Sequence, residues 1–433
     1  MTGVLCLDFG TSSVRAVRRQ PSGKLKPLAI GRVVRSRLDD ASIRSEVHID
    51  STGKQVRFGD AAVRQWAKGE GALLFELSPK LWLRDLDRID QPAAPGTALT
   101  REDLLVGLLA NAVRAAAEAD GIGFDTLRKL DLRIAHPVWE NSATEANTVL
   151  ARIAVKARQV AFQRDWSSVS ASTLKDWASI EVADRAAMIE VVEPIAAAVE
   201  LLPSEENLIR LCAVVDVGAG TTDIGLFRSL VPDPDSAKRS RLIPLGVARS
   251  VFKAGNEVDA IVLELLERRT RVQDPVQWAS VRGRVRFIKE TLFKQGSVQE
   301  LGVDVALGDL EAHPSARAMA DAVRSAIVTA VQACEKDVQL LMNRASGAVQ
   351  ELDLVLAGGG AQMGFLRNAL APAIIVGGRN LRVRISDPLE RAGIGTFGAG
   401  RSRMAVALGG ANEEYDLLQT QEAKPERYRL GSY

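Results

Sequence analysis

Two segments of this chain repeat the same pattern, and the repeat limits the folds that the sequence can adopt. Each begins with an apolar run, residues 4–8 or residues 211–216, that ends at an aspartate, Asp8 or Asp216. A turn rich in glycine and hydroxyl residues follows, and a second apolar stretch then returns. The pattern predicts a strand, a tight turn and an antiparallel strand in each copy. Two copies, about 200 residues apart, indicate two related lobes rather than a solenoid.

Helices are predicted between the strands. Residues 102–119 carry apolar side chains at helical spacing after a possible cap at Thr100, and residues 130–135 have the pattern of the next strand. A long amphipathic helix is predicted over residues 320–344, before a strand at residues 352–356. The sequence therefore predicts an α/β fold.

The charge balance excludes several classes of partner. The 433 residues include 56 Lys or Arg and 54 Asp or Glu, which gives a net charge of +2. This balance creates no strong field that would attract nucleic acid or an anionic membrane. No run reaches about 18 apolar residues, the length of a transmembrane helix, and the three cysteines lie singly in apolar stretches. We expect a cytoplasmic protein with neither a nucleic-acid nor a membrane partner.

The two turns have the chemistry of phosphate-binding loops. Glycine amides and hydroxyl groups can contact phosphate oxygens, and Asp8 and Asp216 can hold Mg²⁺ through water molecules. A single turn of this kind is about as often a plain hairpin, so the prediction depends on both copies. Neither turn opens a helix, which excludes a dinucleotide-binding fingerprint. The candidate phosphate-binding residues are Gly10, Thr11, Ser12, Gly218, Ala219, Gly220, Thr221 and Thr222.

Three segments together resemble the superfamily of actin, the sugar kinases and the heat-shock ATPases. They are LDFGTS at residues 7–12, VDVGAGTTD at residues 215–223 and LAGGGA at residues 356–361. In order, they are similar to the first phosphate loop, the second phosphate loop and the adenosine loop of that superfamily. The resemblance implies an actin-like ATPase fold, with two duplicated lobes of mixed β-sheet and flanking helices around a nucleotide cleft.

Three further segments resemble the nucleotide-binding domain of the seventy-kilodalton heat-shock (DnaK-type) chaperones. They are FGDAA at residues 58–62, SPK at residues 78–80 and VEPIAAA at residues 192–198. The similarity extends over most of the chain up to about residue 400. It implies a first lobe over residues 1–200 and a second lobe over residues 201–407. The chain turns polar after about residue 407, which predicts a flexible tail over residues 408–433. Residues 146–193 are longer than in those chaperones, which suggests an added helical decoration.

The resemblance also assigns roles to single residues. Lys80 is similar to the catalytic lysine of the family, although a surface lysine is an equal alternative on spacing alone. Glu193 matches a carboxylate beside the magnesium shell, and it also suits the start of a helix before a proline. Asp216 and Thr221 complete the catalytic set. The residues assigned to the nucleoside are Lys289, Gly358, Gly359 and Gly360.

The sequence departs from those chaperones at specific positions. Gln362 stands where they have an arginine that stacks on adenine, so adenine selectivity is expected to be reduced. Ile189 stands where they have an arginine used with J-domain partners, and we therefore expect no standard J-protein partner. The chain ends soon after the second lobe, which predicts that no peptide-binding domain acts in the same chain.

The expected function is ATP binding with slow, Mg²⁺-dependent hydrolysis. ATP, ADP and Mg²⁺ are the expected ligands, and the output would be a nucleotide-driven conformational switch or a chaperone-like ATPase that acts through a separate protein partner. Two alternatives from the same superfamily stay open. One is an actin-like filament-forming protein, and the other is a small-molecule kinase, which would need a general base beside a hydroxyl substrate.

Overall fold

The computed structural model of the protein has a mixed α/β fold with several β-sheets. It describes residues 3–31, 42–138, 143–163, 165–181, 188–202, 209–229, 242–343, 349–386 and 401–422. Within these ranges, no helix is both long and apolar enough to cross a membrane. The mixed α/β class predicted from the sequence is confirmed.

The first sheet is built from strands of the N-terminal half. Its strands are β1 (Val4–Phe9), β2 (Ser13–Arg19), β3 (Leu25–Leu28), β4 (Ile43–Arg44), β8 (Asp131–His136) and β10 (Met188–Val192). The order is β10-β8-β1-β2-β3, and β4 pairs with β2. Strands β10, β8 and β1 run parallel, whereas β2 is antiparallel to its neighbours β1 and β3. The strand predicted at residues 130–135 is therefore β8, which lies between β10 and β1.

The second sheet repeats this topology. Its strands are β11 (Leu211–Val217), β12 (Thr222–Ser229), β13 (Leu242–Pro244), β14 (Arg249–Val251), β17 (Glu351–Ala357), β18 (Ile374–Val376) and β19 (Arg379–Ser386). The order is β18-β19-β17-β11-β12-β13, in which the strands from β19 to β13 have the same order and the same parallel and antiparallel pairings as the first sheet, and β18 is an additional edge strand. The two predicted hairpins are thus β1–β2 and β11–β12, which occupy equivalent places in the two sheets.

Two small sheets complete the β-structure. One contains β5 (Val47–Asp50), β6 (Gln55–Phe58), β7 (Ala72–Glu76) and β9 (Ser168–Ser170), and the other is the hairpin of β15 (Ser297–Glu300) and β16 (Val303–Ala306).

The helices connect and cover these sheets. They are α1 (Asp60–Trp66), α2 (Arg101–Asp120), α3 (Phe124–Arg128), α4 (Ala143–Val160), α5 (Ala171–Ala178), α6 (Glu193–Leu201), α7 (Gly255–Arg269), α8 (Pro275–Gly283), α9 (Val285–Gln295), α10 (Leu307–Glu311), α11 (Pro314–Ala333), α12 (Glu335–Met342), α13 (Gly364–Leu370), α14 (Arg401–Ala411) and α15 (Glu413–Glu422). Helix α2 begins with the predicted cap, because the Thr100 side chain accepts a hydrogen bond from the Asp103 amide and the Asp103 side chain accepts one from the Thr100 amide.

The single helix predicted over residues 320–344 is instead divided between α11 and α12 at Cys334.

The segment predicted to be a helical decoration is built into the first lobe. Helix α4 connects the parallel strands β8 and β10 and packs on α2. Strand β9 extends the small sheet by pairing with β6, and Trp166 is fully buried in the core of this lobe. The segment is therefore largely helical, and its helices α4 and α5 both pack on α2.

A third apolar core lies between the two sheets. It combines side chains from both, such as Cys6 and Cys212, with side chains of α6 and α14. The two helices approach closely because their facing residues are small, and a Cβ atom on Gly409 would collide with the backbone of Ala196. Helix α14 packs on β1 and β2 of the first sheet as well as on β17 of the second. Residue 407, inside this helix, therefore does not separate a second lobe from a tail.

Residues 408–422 also do not form the flexible tail that their polar composition predicted. They complete α14 and form α15, which packs against α6. The prediction failed because α15 has a narrow apolar side: Tyr415 and Leu418 are only 1% and 2% exposed. Asp416 anchors the same helix through ion pairs with Arg19 and Arg133. Residues 423–433 of the predicted tail lie outside the described residues.

The docking of α15 can be tested through the Tyr415 hydroxyl, which accepts a 2.8 Å hydrogen bond from the Val192 amide. Tyr415→Phe leaves this amide without its hydroxyl acceptor, so we expect the free energy of unfolding to fall by about 1–3 kcal/mol. Urea unfolding followed by circular dichroism measures the change. An unchanged midpoint would show that α15 is not docked in solution.

Candidate functional site

The β1–β2 and β11–β12 turns have the same backbone geometry. The Gly10 amide donates to the Ser13 carbonyl at 3.1 Å, and the Gly218 amide donates to the Thr221 carbonyl at 2.9 Å. The turns also touch each other, since a Cβ atom on Gly220 would lie 2.9 Å from the Thr11 hydroxyl oxygen. The two duplicated sheets therefore bring equivalent turns together in space.

These turns face a cavity of about 510 Å³ between the two halves of the molecule. Most of the residues predicted from the sequence line it: Asp8, Gly10, Thr11, Ser12, Lys80, Glu193, Asp216, Gly218, Ala219, Thr221, Lys289, Gly358, Gly359 and Gly360. Thr222 does not, because it is fully buried and its hydroxyl donates to the Lys253 carbonyl at 2.7 Å. Gly220 does not line the cavity either. It lies where the second turn contacts Thr11 of the first turn.

A buried ion pair lies at the floor of the cavity. The Lys80 ammonium group is 2.5 Å from a carboxylate oxygen of Glu193, and these residues are 4% and 7% exposed. Lys80 is held by the 3₁₀ turn Pro79–Arg84, while Glu193 is the first residue of α6, before Pro194. The alternative of a surface lysine is therefore wrong. The prediction that Glu193 begins a helix is confirmed, and the helix start places its carboxylate at the cavity. Its place beside a magnesium shell stays a prediction.

Further carboxylates crowd this ion pair. Asp8 and Asp216 are 6% and 7% exposed near the ends of β1 and β11, and Asp223 is 1% exposed on β12. Burial raises the pKa of each of the three, and neighbouring carboxylates raise the pKa of Asp216 further. Burial also raises the pKa of Glu193 to about 7, against the opposing effect of the Lys80 charge. The cluster is therefore short of positive charge.

Such a cluster suits a hydrated magnesium ion. Carboxylate oxygens are the ligands that Mg²⁺ prefers, and Mg²⁺ commonly retains several of its water molecules. Among the described residues, no three acidic, histidine or cysteine side chains converge closely enough to hold a metal ion directly. The geometry is compatible with contacts through water from Asp8 and Asp216, but not with a direct cage of side chains.

Two residues near the cluster were missed from the sequence. Arg15 pairs with Asp8 across the β1–β2 hairpin, with a nitrogen 3.4 Å from the carboxylate, and it lines the cavity. The equivalent partner of Asp216 across β11–β12 is Asp223. The sequence contained a signal for both residues, because Arg15 follows Asp8 at the same spacing at which Asp223 follows Asp216. The two copies therefore share the hairpin, but the residue opposite the aspartate is basic in the first copy and acidic in the second.

The two halves are also connected at the wall of the cavity, which Arg286 lines. Arg286 of α9 donates to Glu46 and to the Ser78 hydroxyl, both at 3.0 Å. Glu46 is fully buried, and it also accepts from Arg44. Ser78, in turn, directly precedes the 3₁₀ turn that holds Lys80. Opening the cleft would break these contacts and expose the carboxylate of Glu46 to water.

Lys289 and the glycine turn at residues 358–360 lie beside the end of β11 and the second turn. The Lys289 ammonium group is 2.7 Å from Asp259 and 3.0 Å from the Gly255 carbonyl, so it joins α9 to the start of α7. Gly358 has a φ of 75° and lies against the Asp216 side chain, where a Cβ atom would collide. Its amide donates to the Ser402 carbonyl at 3.0 Å. Only glycine suits this combination of close approach and left-handed backbone.

Comparisons of the whole chain with protein-family models and with curated proteins returned no match.

The carboxylate cluster predicts a pH dependence of stability. Because the pKa of Glu193 is raised from 4.5 to about 7, the folded protein holds a proton that the unfolded chain releases within this window. The free energy of unfolding should therefore fall as the pH rises from 4.5 to 7 and level off above it. Glu193→Gln should make this decline shallower in urea unfolding at a series of pH values.

The matched control is Glu267→Gln, which changes an exposed carboxylate on α7. It should leave the pH dependence unchanged. Equal slopes for the wild type and Glu193→Gln would mean that Glu193 is ionised in the folded protein throughout the window.

Proposed function

We propose that this chain is an ATP-binding protein of the actin-like fold that hydrolyses ATP slowly with Mg²⁺. The observation that carries the proposal is the pair of equivalent turns, one from each duplicated sheet, that meet at one cavity. Each turn offers backbone amides and hydroxyl groups to an anion. A chain of phosphates between them would be held from both sides.

The phosphate end of the nucleotide would lie against these turns. Ser12 and Thr11 of the first turn and Ala219 of the second line the cavity there. Asp8 and Asp216 would hold hydrated Mg²⁺ at this end, and the bound metal ion would neutralise part of the charge on the phosphate oxygens. This also explains why buried carboxylates are tolerated at the strand ends, since the Mg²⁺ nucleotide supplies the missing positive charge.

Lys80 and Glu193 are the residues that we assign to the reaction. The buried Lys80 ammonium group would offset the negative charge that develops on the terminal phosphate. Because the pKa of Glu193 is raised to about 7, its carboxylate can accept a proton from the attacking water near neutral pH. Thr221 would orient the phosphate from the second turn.

The output of the cycle would be a change in the closure of the cleft. The Arg286–Glu46 contact connects the two halves at the wall of the cavity, so a nucleotide bound to both halves would also favour this closed arrangement. We propose that this conformational signal passes to a separate protein partner, as in a chaperone-like ATPase of the heat shock protein 70 family. A cytoplasmic location is part of the proposal, in keeping with cysteines that are buried in apolar cores.

The proposal is tested by single-turnover hydrolysis of Mg·ATP. Lys80→Ala should lower the rate about 100-fold, because it removes a group that stabilises charge in the transition state. ADP affinity, measured by calorimetry, should change little. Lys26→Ala is the matched control, since Lys26 is 42% exposed and pairs with Asp120 away from the cavity. Equal rates for the wild type and Lys80→Ala would contradict the assigned role of Lys80.

A further inference from the structure

A guanidinium group lies at the cavity beside Asp8, and the reaction proposed above does not use it. Arg15 stands on β2, directly opposite Asp8 of β1 in the antiparallel hairpin. Its nearest nitrogen is 3.4 Å from the Asp8 carboxylate, and the side chain lines the cavity. Strand β2 pairs with β1 on one edge and with β3 and β4 on the other. The backbone of Arg15 is therefore fixed inside a sheet, and its side chain is held at the cavity.

Arg15 lies at the end of the cavity to which the reaction is assigned. The Asp8 carboxylate interacts electrostatically with both Arg15 and Lys80, and the two cations lower the pKa of Asp8 against the larger effect of burial. The Lys80 ammonium group also lies 5.7 Å from the ring centre of Phe9, the residue after Asp8. Arg15 and Lys80 are therefore neighbours of the same carboxylate, one on β2 and the other on the 3₁₀ turn Pro79–Arg84.

The Arg15 guanidinium keeps donors for a ligand. Its 3.4 Å contact with Asp8 is longer than a charge-assisted hydrogen bond, which measures about 2.7–2.9 Å. Within the part of the chain that the structure describes, this contact is the one hydrogen bond of the Arg15 side chain. The side chain is 18% exposed, and a guanidinium carries several N–H donors in a planar fork. Most of these donors are therefore available to an anion in the cavity.

The second copy of the hairpin treats the equivalent position differently. Asp223, opposite Asp216, is 1% exposed and does not line the cavity. Its carboxylate accepts a 3.1 Å hydrogen bond from the amide of Val138, which follows β8 of the first sheet. The residue in the second copy is therefore used in a contact between the two halves, whereas Arg15 faces the cavity.

We propose that Arg15 is a further catalytic residue, which donates hydrogen bonds to the terminal phosphate of a bound nucleoside triphosphate. Once Asp8 holds hydrated Mg²⁺, the guanidinium is left to the phosphate. The inference rests on the proposed nucleotide-binding function, and it adds to that site a residue that distinguishes ATP from ADP.

The chemistry of the reaction supports this role. Water forms a bond to the terminal phosphorus and gives its proton to Glu193, while the bond to the bridging oxygen breaks and its electron pair leaves with ADP. Negative charge develops on the phosphate oxygens during this step. The charge of Lys80 is partly engaged by Glu193, 2.5 Å away, so a second cation is needed. The planar guanidinium of Arg15 matches two phosphate oxygens at once, which an ammonium group cannot do.

The test combines single-turnover hydrolysis of Mg·ATP with calorimetry of ADP and of the non-hydrolysable β,γ-imido analogue of ATP. Arg15→Ala should lower the rate about 100-fold and weaken the analogue about tenfold, because both effects depend on contacts with the terminal phosphate. ADP affinity should change less than twofold. Added guanidinium ions should restore part of the rate to Arg15→Ala, which would not follow from a purely structural role. Arg15→Lys keeps the charge but loses the planar fork, and it should slow hydrolysis about tenfold.

The control is Arg114→Ala on α2, where Arg114 pairs with Glu118 away from the cavity. It should change neither the rate nor the affinities. A wild type that hydrolyses ATP no faster than Arg15→Ala and Arg15→Lys would overturn the inference and leave the proposed function intact. Equal weakening of ADP and the analogue by Arg15→Ala would also overturn it, because that result indicates a general structural role. A wild type that binds neither nucleotide would overturn the proposed function, and the inference with it.

Discussion

Four buried carboxylates lie around the ammonium group of Lys80, and the rest of the structure depends on how this charge is balanced. Asp8 and Asp216 are fixed near the ends of equivalent central strands, and Glu193 is fixed by the start of α6. None can move away without disturbing a sheet or a helix start. Burying unpaired charge costs several kcal/mol in a protein interior, so the cluster favours either protonation or a bound cation. A magnesium nucleotide meets this need and at the same time gives the two turns a common ligand.

The packing between the sheets makes this convergence possible. Helices α6 and α14 lie back to back in the core that both sheets share, and small residues such as Gly409 and Ala196 allow the close contact. Glu193 begins one of these helices, whereas Ser402 and Arg403 belong to the other. The same pair of helices therefore joins the sheets and places side chains in the wall of the cavity.

Local features of the fold could be predicted from the sequence, whereas distant contacts could not. The hairpins and the Thr100 cap follow from short-range patterns of apolar, glycine and hydroxyl residues, and the structure contains both. The contact between Arg286 and Glu46 joins residues far apart in the chain, and no periodicity indicates it. Helix α15 was missed because its polar composition hides two buried apolar side chains, Tyr415 and Leu418, and the ion pairs of Asp416 with distant arginines. The roles of Lys80 and its neighbours were implied by the resemblance to heat-shock ATPases, and they stay predictions.

The central claim is that the two turns bind one phosphate chain together. Amide hydrogen exchange measured by mass spectrometry at residues 10–13 and 218–222, with and without saturating Mg·ATP, tests it most directly. We predict slower exchange in both segments at once, because amides of both turns would donate to phosphate oxygens and become shielded from water. Protection of only one segment, or of neither while calorimetry shows that nucleotide is bound, would contradict the account.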